Sequence, residues 1–223
     1  MDSAVFHDRR HAGELLATHL RAYAWRDDVV VLALPRGGVP VAYEVARALH
    51  APLDAFVVRK LGVPGHEELA FGAIASGGVR VLDERIVSEL GLSATTIATI
   101  TERERQELGR RERVYRGARP APAVTGKTVI VVDDGLATGA SMRAAVQALR
   151  ALGPARIVVA VPTGAPASCD ALRPHVDALV CLSMPEPFYA VGEYYHDFSP
   201  TSDEEVSALL AATLKGPATA GLT

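Results

Sequence analysis

The chain has 223 residues, enough for one domain of ordinary size with a substantial core. Nearly half is hydrophobic, aromatics are few, and the formal net charge is −3, so no overall basic field draws it to nucleic acid. No apolar stretch approaches the length of a membrane span. Cys169 and Cys181 lack metal-ligand spacing and, with no signal peptide in view, read as reduced core thiols of a cytoplasmic protein.

In chain order the pattern alternates. RRHAGELLATHLRAY is an amphipathic helix, and Val29–Leu34 is a buried strand followed by the turn PRGG. VPVAYEVARALH is a helix with Val41, Val45, Ala48 and Leu49 on one face. LDAFVVRKLG is a second strand, and the glycine-rich stretch after it reads as a mobile cover that ends in the short strand Val79–Leu82. Two helical stretches follow, ERIVSELGL and SATTIATITERERQELGRRERVYRG; the second carries ten charged residues from Glu102 to Arg116 and reads as solvated. The breaker-rich ARPAPAVTG ends it. Beyond the strand Val129–Val132 and its helix come two more strands, ARIVVAVP and VDALVCLSM. The last helix, TSDEEVSALLAATLK, takes Ser202 or Thr201 as its cap.

The expected fold is α/β: a mostly parallel sheet with helices on both faces. The expected organisation is one domain over residues 1–215, with a helical insertion at 84–118, a small C-terminal hood at 183–200, and a flexible tail at 216–223.

The stretch VIVVDDGLATGAS holds the most specific chemistry. Four β-branched residues without alternation suit a strand buried on both faces, and Thr138-Gly139-Ala140-Ser141 opens a helix. A strand, a short turn and a helix N-terminus offer unpaired amides and the positive end of the dipole, which is a seat for phosphate. Asp133 and Asp134 do not belong on that phosphate, since like charges about 4 Å apart repel by roughly 4 kcal/mol at an effective dielectric near 20. Neutral hydroxyls or a divalent cation suit them. A phosphorylated sugar satisfies both halves.

This stretch resembles the PRPP-binding signature of the type I phosphoribosyltransferases, and the resemblance runs in order over most of the chain. It implies that Asp133 and Asp134 meet the ribose hydroxyls and a Mg²⁺ ion, the latter through water. It also implies that Ala137, Thr138, Gly139, Ala140 and Ser141 hold the 5′-phosphate. Arg36, Gly37 and Gly38 of LPRGGVP then form the pyrophosphate loop, where glycine admits backbone amides and arginine adds a planar cation. Arg59 and Lys60 are the implied cations for the leaving pyrophosphate. Leaving-charge stabilisation falls to Lys60 and Arg36.

PEPFYAVGEYYHDFSP is similar to the base-binding segment of the hypoxanthine-guanine phosphoribosyltransferases. The similarity implies that Tyr189 stacks on an acceptor ring, with Val191 and Gly192 lining it and Asp197 close by. Two positions depart from that group: Ala137 stands where an aspartate is proposed as base, and His175 stands near the purine-reading lysine.

The implied activity is Mg²⁺-dependent transfer of the phosphoribosyl group of PRPP to a nitrogen acceptor, a nucleobase, by a homodimer that needs neither nucleic acid nor membrane. The rival is a PRPP-sensing regulator that keeps the fold without transfer. A receiver-like phosphorylation switch needs its acid pair on the first strand, and a nucleoside triphosphatase needs a Walker A loop; neither pattern is present.

Overall fold

The computed structural model describes residues 6–213, and the tail read at 216–223 lies outside them. Five strands form a parallel sheet in the order β2-β1-β6-β7-β8: β1 is Val29–Ala33, β2 Leu53–Ala55, β6 Thr128–Val132, β7 Arg156–Thr163 and β8 Ala178–Ser183. Every residue of β1 and β6 is buried, as expected when both faces of a parallel sheet are covered.

Side chains alternate between two cores because successive residues of a strand face opposite ways. Val29, Val31, Ala33, Ile130 and Val132 pack with α1 (Arg9–His19), α2 (Gly38–Leu49) and α7 (Asp203–Ala212). Val30, Leu32, Val129 and Val131 pack with α5 (Ala140–Ala151) and α6 (Pro166–Leu172). The architecture is the expected α/β one. Ser202 caps α7 by accepting from the Glu205 amide at 3.1 Å.

Two expectations are corrected. LDAFVVRKLG is not one strand. It breaks after Ala55, because Val57 takes its hydrogen bonds from Ser76: the Val57 amide donates to Ser76 Oγ at 3.0 Å, and the Ser76 amide donates to the Val57 carbonyl at 2.9 Å. The chain then enters a separate antiparallel sheet of β3 (Val58–Val63), β4 (His66–Ala75) and β5 (Val79–Leu82). The glycine-rich stretch is therefore paired strand rather than a loose cover. Pro64 and Gly65 form the β3–β4 turn, with Gly65 at φ 77° as the third position of a type II turn requires.

The second correction concerns the charged helix. The stretch read as an insertion contains α3 (Glu84–Glu89) and α4 (Ala94–Arg116), and α4 is only solvated on one side. Ile100, Leu108 and Tyr115 enter the core, while Glu104 and Arg116 are buried with partners. Arg116 Nε donates to Asp54 Oδ2 at 2.7 Å and Nη2 to the Ala55 carbonyl at 3.0 Å. Burial pushes Asp54 up, against the pull of Arg116, so the carboxylate depends on that guanidinium.

Removing one partner of a buried pair strands the other, at a cost of about 3–5 kcal/mol. Arg116→Met is therefore expected to lower the thermal midpoint by roughly 6–20 °C for a chain of this size. A melt displaced by less than about 2 °C would show that α4 does not depend on this anchor.

Candidate active site

The site is built where β1 and β6 end side by side. Their parallel register pairs Ala33 with Val132, and the ladder runs one step further as the Leu34 amide donates to the Val132 carbonyl at 2.9 Å. Two turns therefore leave the sheet as neighbours: Pro35–Gly37 from β1 and Asp133–Gly139 from β6. The Pro35–Arg36 peptide is cis.

Glycine is required where these turns touch. A Cβ on Gly38 would lie 2.7 Å from the Val132 carbonyl oxygen and 2.9 Å from Asp133 Cα, closer than real side chains approach. A Cβ on Gly37 would overlap the Asp134 carboxylate itself. The glycines serve the acid pair as much as any anion. That constraint was invisible in PRGG taken alone.

Asp133 and Asp134 have different surroundings. Asp133 Oδ1 accepts from the Asp134 amide at 2.9 Å, and burial, then the neighbouring Asp134, pushes its carboxyl well above the usual range. Asp134 is already paired. Arg9 Nε donates to Asp134 Oδ2 at 2.8 Å, and the Tyr195 hydroxyl donates to the Asp134 carbonyl at 2.6 Å. Burial pushes the Tyr195 phenol up, so it stays a neutral donor. Of the two carboxylates read as facing hydroxyls or a cation, Asp134 is held by an arginine 125 residues away.

The turn read as a phosphate seat runs from strand to helix. Leu136 pairs with Gly164 beyond the end of β7, Gly139 adopts φ 71°, and α5 starts at Ala140. Thr138 and Ser141 are exposed, so two hydroxyls flank the start of α5, whose first-turn amides have no intrahelical acceptor. Thr138 Oγ1 accepts from the Ala140 amide at 3.4 Å. Arg143, one turn along α5, donates from Nη1 to the Thr138 carbonyl at 2.8 Å and brings a cation to the turn that sequence reasoning passed over.

The basic pair Arg59-Lys60 is split. Adjacent residues of β3 face opposite ways. Arg59 turns to α4 and donates from Nε and Nη2 to Glu104 Oε2 at 2.8 and 2.6 Å, so it is an anchor for that helix. Lys60 instead lines a cleft of about 570 Å³ between the antiparallel sheet and α5, in company with Ala140, Arg143 and Gln147. The structure thus brings Lys60, and not Arg59, to the side of the β6 turn and α5. Arg36, half exposed, has Nη1 4.0 Å from Asp203 Oδ1. Asp203 also accepts from the Tyr115 hydroxyl at 2.8 Å.

The segment 183–200 reaches the same place. Val191 packs directly on Gly135, beside the acid pair, and Gly192 packs on Phe198. Phe188 stacks on Tyr194 at 5.1 Å, while Tyr189 stands 75% exposed. Asp197 is spent locally, accepting from the Ser199 amide at 2.9 Å and its hydroxyl at 2.5 Å. The segment is tied to the N-terminal side by Phe6, whose amide donates to the Tyr194 carbonyl at 2.7 Å.

Residues 6–199 match the phosphoribosyl transferase domain. The chain belongs to that family. It is 46% identical over 217 residues to "Putative phosphoribosyl transferase Rv0571c" of Mycobacterium tuberculosis, covering 97% of this chain and 49% of that protein. The same match holds for the counterpart in a second strain. The chain therefore spans about half the length of these curated relatives. The crystal structure of TT1426 from Thermus thermophilus is 45% identical with a TM-score of 0.85, over 93% of this chain and 98% of that one.

The glycine contacts generate a direct test. Gly38→Ala overpacks the junction of the two turns, which costs typically about 1–3 kcal/mol, or a fall of roughly 2–12 °C in the midpoint. A melt indistinguishable from that of the unaltered protein would mean the loop has room that the geometry denies.

Proposed function

We propose that the chain is a phosphoribosyltransferase that passes the 5-phosphoribosyl group of PRPP to a nitrogen acceptor, a nucleobase, and releases pyrophosphate. The observation that carries this reading is the junction of the acid pair, the phosphate turn and the Gly37–Gly38 loop at the ends of adjacent strands, where α/β sheets place ligands.

Each residue has a role in it. The amides and hydroxyls of Ala137–Ser141 take the 5′-phosphate. Asp133 accepts from the ribose hydroxyls and orients the anomeric carbon. The amides of Gly37 and Gly38, with Arg36, take the pyrophosphate, and Lys60 adds a positive group from the cleft wall. Val191 and Tyr189 bound the side from which the acceptor ring approaches.

The residues fit Mg²⁺ as an ion shared with the substrate. Among the described residues no group of three or more His, Cys, Asp or Glu could hold a metal. Mg²⁺ commonly keeps several waters and binds through one or two carboxylates plus substrate phosphates, a donor set that Asp133 and Asp134 can complete. The raised Asp133 carboxyl is a group whose ionised form a nearby cation would favour. When bound, the ion would supply neutralisation of charge on the departing pyrophosphate.

The family habit supports a homodimer. A cytoplasmic setting fits the two free cysteines, and no helix among the described residues is long and apolar enough to cross a membrane. Ala137 in the turn and the locally engaged Asp197 favour one rival, a PRPP-binding regulator without transfer. A base-by-base screen for pyrophosphate release separates them: turnover with one acceptor supports the transferase, and PRPP binding without turnover supports the regulator.

Two substitutions test the assigned roles. Charge-assisted hydrogen bonds contribute about 1.5–3 kcal/mol, so Asp133→Asn is expected to weaken PRPP binding roughly 10- to 150-fold while the melt is preserved. Unchanged affinity would make Asp133 a structural group. Tyr189→Ala, at an exposed position, is expected to leave the melt unchanged and raise the acceptor KM several-fold to about tenfold, the range of a lost stacking interaction. Unchanged acceptor kinetics would remove Tyr189 from the acceptor site.

A further inference from the structure

Arg9 is the cation most deeply set into the site, and neither the motif nor the family match assigns it a role. Its side chain is 11% exposed. Besides Asp134 Oδ2, its guanidinium donates from Nη1 to the Ser199 carbonyl at 2.8 Å and lies 3.9 Å from the centroid of the Phe198 ring. Its Nε would lie 3.2 Å from a Cβ on Gly37, so the guanidinium, the Asp134 carboxylate and the glycine loop share one spot.

The backbone that carries Arg9 is also fixed. Asp8 caps α1 by accepting from the His11 amide at 2.7 Å. Gly13 lets α1 close onto α2, since a Cβ there would sit 2.5 Å from the Val41 carbonyl oxygen. A cation in the first turn works against the helix dipole, so the dipole does not account for its place there.

We propose that Arg9 is a positioning residue: it clamps Asp134 against the Gly37 loop and offsets its charge, so that the acid pair meets the ribose of PRPP in one fixed geometry. This rests on the phosphoribosyl reading of the site. Without the clamp, two adjacent carboxylates repel, and the freed Asp134 has a second geometry in which it competes with Asp133 for the same hydroxyls. Because Ser199 and Phe198 hold Arg9 from the other side, the clamp also ties the acid pair to the hood segment 183–200.

A double-mutant cycle on PRPP binding, measured by calorimetry with Mg²⁺ present, tests this for Arg9→Gln, Asp134→Asn and the pair. Arg9→Gln in the unaltered background is expected to weaken PRPP at least tenfold. In the Asp134→Asn background, where no charge remains to be clamped, the same change is expected to cost less than threefold. Arg9→Lys keeps the charge without the fork and is expected to fall between Arg9→Gln and the unaltered protein, which keeps the test usable if Arg9→Gln folds poorly. Inorganic phosphate binding, which reports the turn at Thr138–Ser141, is expected to be unchanged in each variant. Equal losses in both backgrounds, or no loss in either, would overturn the positioning role while leaving the phosphoribosyl reading intact. No PRPP binding by the unaltered protein would remove that reading and this inference together.

Discussion

The approach of the Gly37–Gly38 backbone to Asp133 and Asp134 constrains everything else in the site. It follows from the parallel pairing of β1 with β6, which ends both strands at the same level and sends both turns out on the same side. With Gly38 against the Val132 carbonyl and Gly37 against the Asp134 carboxylate, neither turn can move without the other. The β1 loop is therefore held at a fixed offset from the β6 turn. The covered, β-branched strands beneath supply the rigidity, since their side chains are packed on both faces.

Charge is arranged around that junction in layers. Arg9 pairs with Asp134, and Arg36 leans towards Asp203, which Tyr115 of α4 also holds. Burial, then Asp203, pushes the Tyr115 phenol up to about 12, so it remains a donor at neutral pH. The long charged helix thus contributes to the site from behind, through Asp203, while its other buried pairs, Glu104 with Arg59 and Arg116 with Asp54, fix it to the two sheets.

What was legible in the sequence was local. The strand, turn and helix from Val129 to Ser141 follow from an apolar run, a glycine and two hydroxyls within thirteen consecutive residues, and the structure keeps that order with Gly139 at positive φ. The parallel sheet was legible too, because doubly buried strands lose their alternation. Long-range facts were not legible. Arg9 meets Asp134 across 125 residues, and the one hint was a pair of arginines in a helix's first turn, where the dipole disfavours them. Arg59 and Lys60 look like one basic patch until the strand pleat sends them to opposite faces. The glycines between them and Val79 look like a loose lid, yet Gly72 sits where β5 passes too close for a side chain, and Gly65, Gly77 and Gly78 make hairpin turns at positive φ.

In the proposed reaction two anion seats, the β6 turn and the β1 loop, act on one ligand. Calorimetric titration with PRPP and with ribose 5-phosphate, each with Mg²⁺, tests it most directly, because only PRPP reaches both seats. PRPP is expected to bind at least about tenfold more tightly, the equivalent of roughly 1.4 kcal/mol from the second seat. Equal affinities would contradict it, leaving the Gly37–Gly38 loop as a support for the acid pair and no more.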